Sequence, residues 1–165
     1  MAAKLKFPIT RAVGGGLIGS AVMAMWAMVV SAGSGMGFWT PAQLIAAVWV
    51  GSSAMAHVAA GIVVVGMMTH MMMGIILAII MAAGFQIFRI AAGPTRLAWG
   101  AGYAIIVWMV NQFAVLPAID PVMASQMPAW AFAIGHMLFG VTAAAFLLNR
   151  PPAVRRDISR GIVAG

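Results

Sequence analysis

The sequence predicts an all-α membrane protein: four transmembrane helices, a short outer interfacial helix, and an approximate internal two-helix repeat. Three observations predict it. Of 165 residues, 64% are hydrophobic and 7% charged, with a mean hydropathy of +1.07, whereas a soluble domain is roughly half apolar and about a quarter charged. The apolar residues fall into four runs of about 20 residues, the length that crosses a bilayer, and they leave no room for a separate soluble domain. Finally, Thr69-His70-Met71 to Gly74 is echoed by Gly135-His136-Met137 to Gly140. Overlaying His70 on His136 pairs Gly74 with Gly140 and Ala78 with Ala144, one helix face in each run.

The elements follow in order. Residues 1–11 form a basic tail, and the apolar run at about 13–32 is longer than the core of a signal peptide, so it is read as a retained first span. Gly15 and Gly19, with Gly16, Ser20 and Ala24, give it the small-residue spacing that admits a second helix backbone. The Gly- and Ser-rich stretch from Ser31 breaks this helix. Thr40-Pro41 then starts a helix at about 41–50, too short to span and flanked by Trp39 and Trp49 as interfacial anchors. The second span is expected at about 59–85, the third at about 97–116 and the fourth at about 128–148. Pro117 and Asp120-Pro121 close the third, and Met127-Pro128 opens the fourth. A basic cytoplasmic tail, 149–165, completes a single integral membrane domain.

The net charge of +7 comes from Lys and Arg confined to tails and turns. That distribution sets orientation and does not point to nucleic acid. Lys and Arg in both tails and in the Arg89 to Arg96 turn place both termini in the cytoplasm, in a bacterial inner membrane if the chain is bacterial.

In lipid, polar side chains turn inward and find partners. By the rise of a helix, His70 lies about 16 Å and His136 about 12 Å below the outer helix starts, with Asn111 and Gln112 within about 9 Å of the same side. Three readings compete for this group. In the first, the histidines bond to Asn111, Gln112, Thr69 or backbone carbonyls and lock the bundle, with Gly15, Gly19, Gly74 and Gly140 as packing positions. In the second, His70 and His136 are axial ligands of a b-type haem, with the glycines making room for the macrocycle. In the third, Cu(I) is held by His57, Met123 and Met127, drawing on a chain with 16 methionines. A run such as Met71-Met72-Met73 points around a helix instead of toward one centre, and Met is also a flexible filler. No cofactor is expected on the first reading.

Enzymatic chemistry has little to work with. The chain has no cysteine and two carboxylates, Asp120 and Asp157, both outside the spans, and its serines lie away from His70 and His136. Without intramembrane acids, ion-coupled transport lacks its usual coupling group.

The glycine pattern of the first helix, the two His-xxx-Gly helices, Trp99-Gly100-Ala101-Gly102 and Leu116-Pro117 together resemble a group of uncharacterised bacterial four-helix inner-membrane proteins, a domain-of-unknown-function family. The resemblance implies the fold and no activity. The expected function is a non-catalytic accessory or scaffolding subunit of a larger respiratory or photosynthetic membrane complex, with that complex, a second copy of the chain and lipid as partners. A small haem-binding electron carrier is the alternative, and Cu(I) handling the third.

Overall fold

A computed structural model describes residues 8–91 and 93–148. The tail at 149–165 and most of the N-terminal tail lie outside them. The described residues form helices and turns with no strand: α1 (Ile9–Gly33), α2 (Thr40–Val50), a 3-10 turn (Gly51–Met55), α3 (Ala60–Ile87), α4 (Thr95–Ile119), α5 (Pro121–Gln126) and α6 (Ala129–Phe146). α1, α3, α4 and α6 are long and apolar enough to cross a membrane.

Small residues decide which helices touch. Lipid is as apolar as a leucine side chain, so helices associate through close packing, which small residues permit. α1 and α6 form the central pair: a Cβ on Gly15 would stand 2.9 Å from the Ala143 carbonyl, and one on Gly19 3.0 Å from Phe139. α3 covers the other side of α1, where a Cβ on Gly16 would meet the Gly74 carbonyl and Ile75 at 2.7 Å. α4 covers α6 in the same manner, with Gly100 against Gly140. α3 and α4 are left nearly apart. The bundle is therefore a row, α3, α1, α6, α4, with an open cleft between its ends.

Polar groups add few but specific ties. Trp26 Nε1 donates to the Ala131 carbonyl at 2.8 Å and stacks edge-on against Trp130, joining α1 to α6. Arg96 donates to the carbonyls of Leu147 (2.7 Å) and Ile90 (3.0 Å), and lies 5.6 Å over the Phe85 ring, closing the end of the bundle where α4 begins.

α2 lies along α3, its Ala42 carbonyl filling the space beside Gly66, and Gln43, 4% exposed, donates to the carbonyls of Ala54 and His57.

Two boundaries differ from the sequence expectation for a stated reason. α4 does not close at Leu116 but continues through Pro117 to Ile119. Pro117 lacks an N–H and crowds the preceding turn, and the chain answers with a wider π turn at Asn111–Val115, in which Leu116 N–H bonds to the Asn111 carbonyl. Asp120-Pro121 opens a helix as well as ending one: the Asp120 carboxylate accepts from Met123 N–H at 3.0 Å and caps α5.

Candidate functional site: a chamber of histidine and methionine

The α3/α4 cleft holds two cavities. The first, about 320 Å³, lies among α1, α2, α3, α4, α5 and α6. The second, about 500 Å³, lies between the far halves of α3 and α4, lined by Ile80, Phe85, Trp99, Tyr103 and Ile106 among others. Tyr103, the chain's one tyrosine, stands between them: its hydroxyl crosses the cleft and donates to the Leu77 carbonyl at 2.9 Å.

The first cavity gathers residues that the sequence placed in separate sites. His70, His136 and Asn111 line it, and so do Met123 and Met127. His57 does not; it is exposed on the segment before α3. Gln112 does not line it either, and donates instead to the Ala124 carbonyl at 3.4 Å. Six methionines face the chamber in all, Met23, Met28, Met67, Met73, Met123 and Met127. Others in the Met67 to Met73 run look outward, with Met68 69% and Met72 49% exposed.

Each imidazole has one nitrogen committed to a carbonyl. His70 Nε2 is 3.1 Å from the Ser20 carbonyl oxygen on α1, and His136 Nδ1 is 2.9 Å from the Phe132 carbonyl oxygen one turn earlier on its own helix. A carbonyl oxygen only accepts, so these nitrogens carry the protons. The remaining lone pairs are Nδ1 of His70 and Nε2 of His136. Nε2 of His136 accepts from Asn111 Nδ2 at 3.3 Å, and the Phe132 ring packs edge-on against its imidazole, centroids 4.4 Å apart. Asn111 is the first residue of the π turn, so the irregular backbone aims its amide at His136.

The glycines near the histidines are filled by neighbouring helices. Ser20 Oγ occupies the space where a Cβ on Gly74 would lie, and the Gly100 carbonyl and Ala104 Cβ occupy that beside Gly140. They bring helices together and leave no slot for a macrocycle at those points.

Chemically, the chamber offers thioethers, two imidazoles, one amide and the hydroxyls of Ser20 and Thr69. Among the described residues no group of three or more His, Cys, Asp or Glu could hold a metal ion. No carboxylate lines the chamber, so hard, oxygen-seeking divalent cations have no charged ligand there.

Sequence reasoning missed Ser20 as a partner of His70 and Met23 as a lining residue. The signal was present: Met23 follows Gly19 by four residues and Ser20 by three, on the face that packs against other helices. It missed Tyr103 because a lone aromatic in an apolar run carries no periodic mark. Compared with protein-family models, curated proteins and solved structures, the chain matches none.

Proposed function

We propose that the protein is a non-catalytic accessory or scaffolding subunit that packs against a larger complex in a bacterial inner membrane. The observation that supports this reading is the α3/α4 cleft. Gly84 and Gly102 border its second cavity, and a Cβ on either would have nothing of this chain within 4 Å. Within the spans Gly15, Gly16, Gly19, Gly66, Gly74, Gly100 and Gly140 are each covered by another helix, and the other open helical glycines, Gly33 and Gly61, stand at helix ends. Here the small positions open onto empty space, beside exposed Phe88 and Trp99, where a partner's transmembrane helix fits by backbone approach.

On this reading both termini are cytoplasmic, because Arg89 and Arg96 sit in the turn between α3 and α4, and α2 lies at the outer interface. The chain is then a doubled hairpin: α1 with α3 meets at Gly16 and Gly74, and α4 with α6 meets at Gly100 and Gly140.

The test is purification in mild detergent of the wild type and of Gly102→Trp, whose Cβ enters space that no other part of the chain occupies. The wild type is expected to hold a larger assembly at fixed stoichiometry. The variant is expected to lose it while its own thermal unfolding stays unchanged. A wild type that purifies alone as a monomer, or a variant that keeps the assembly, overturns the reading.

A small b-type haem carrier is the second reading, favoured by both imidazoles lining one chamber. Haem ligands normally present Nε2, and Nε2 of His70 is bonded to Ser20, so that bond has to break first. A reduced-minus-oxidised absorption spectrum without an α-band removes this reading.

A further inference from the structure

We propose that the chamber binds one soft monovalent metal ion, Cu(I) in class, through His70 Nδ1, His136 Nε2 and the thioether of Met23. The site is independent of the accessory-subunit reading, and it differs from the sequence-level copper candidate in dropping His57.

The donor chemistry selects the ion. The chamber's lining has thioethers and imidazoles but no carboxylate, and the chain has no thiol. Calcium and magnesium require several oxygens, and zinc sites are built from thiolate, imidazole and carboxylate. Thioether with imidazole is the set that favours Cu(I). A single positive charge also asks less of a low-dielectric site than a divalent one does.

The histidines are already set as ligands. Metal-bound imidazoles keep their second ring N–H on a carbonyl or carboxylate, which fixes ring and tautomer. His70 has that arrangement through Ser20 and His136 has it through Phe132. Asn111 holds the lone pair of His136 with a long bond of 3.3 Å, which an entering ion replaces.

All three donors line this one chamber, and α1 links them. Ser20, the partner of His70, and Met23 are three residues apart on α1. Met23 also packs against Gly135, the neighbour of His136, its Cγ 3.3 Å from where a Cβ would stand. Met28 lies about 7.5 Å further along α1 by the helical rise. It lines the same chamber with Met123 and Met127, so thioethers continue from the three donors toward the α5 end.

Methionine as mere filler predicts that leucine, of similar volume, replaces Met23 without consequence. Purified full-length protein in detergent is titrated anaerobically with Cu(I) against a colorimetric Cu(I) chelator. One equivalent is expected, with X-ray absorption showing both sulfur and nitrogen neighbours. Met23→Leu and His136→Gln are expected to weaken binding at least tenfold, whereas Met68→Leu, on the outward face, binds as the wild type does. Thermal unfolding without metal confirms that Met23→Leu remains folded. Equal binding by Met23→Leu and wild type, no Cu(I) retained against the chelator, or displacement by equimolar Zn(II) each overturns the proposal.

Discussion

His70 and His136 each stand four residues ahead of a glycine that lets a neighbouring helix approach, yet they spend their ring nitrogens differently. His70 reaches across its hairpin and donates through Nε2 to the Ser20 carbonyl of α1. His136 donates through Nδ1 to Phe132 on its own helix and turns Nε2 toward Asn111. The junctions below them differ too: Ser20 Oγ stands over Gly74, whereas the Gly100 carbonyl and the Ala104 methyl stand over Gly140. The same local motif thus yields two tautomers because the partner helix supplies the acceptor or fails to. A histidine motif read from sequence specifies a position; the proton is placed by what packs against it.

The largest effect that separates the two hairpins should come from the glycines. Gly140→Ala puts a methyl against the backbone carbonyl of Gly100, which moves only with its helix, and is expected to cost about 3 kcal/mol. Gly74→Ala is expected to cost about 2 kcal/mol, since part of its clash is with the Ser20 hydroxyl. The double change Gly74→Ala with Ser20→Ala should recover about half of that loss, whereas no side-chain trimming rescues Gly140→Ala. Reversible unfolding in mixed micelles measures all of these, and equal rescue at both sites would dissolve the distinction.

A middle effect probes the histidines. Asn111→Leu leaves His136 Nε2 without its donor and is expected to cost about 1 kcal/mol. Imidazole nitrogen NMR should show the His136 signals shifting while those of His70 stay in place. Movement of both would mean that the rings do not have separate partners.

The smallest effect concerns the gap between the hairpins. Tyr103→Phe removes the hydroxyl that bridges α4 to the Leu77 carbonyl, for about 0.6 kcal/mol, the average seen for side-chain bonds between membrane helices. Spin labels at Gly84→Cys and Gly102→Cys should nevertheless report a broader distance distribution, because α3 and α4 have little else to hold them. An unchanged distribution would show that other contacts set the gap.

Much of the fold was legible in the sequence. Long apolar runs and Thr40-Pro41 are local signals, and each marks an element among the described residues. The pairing of helices was half legible: Gly15, Gly19, Gly74 and Gly140 announced close approach but not to which neighbour. The chamber was legible only in pieces. His70 and His136 were recognised together, and Met123 and Met127 together, but their meeting depends on how α5 folds back toward α2 at the mouth of the chamber, which no local pattern encodes. Met23 was overlooked although its spacing from Gly19 and Ser20 puts it on the packing face of α1, because methionine was read there as filler. His57 was grouped with the methionines because all three were placed on the outer side, and the fold leaves it off the chamber wall.

The π turn at Asn111–Val115 sets the phase of the helix beyond it. It holds one residue more per turn than the α-helix around it, so the same residues wound as a regular α-helix would run out of phase while the span stayed long enough to cross. Everything after it would then rotate by about 100°. Asp120 and its capped helix would swing away from the bundle, and Met123 and Met127 would leave the chamber. A single extra residue therefore keeps the two ends of α4 in register with different neighbours, one with Gly140 and the other with the chamber's outer wall.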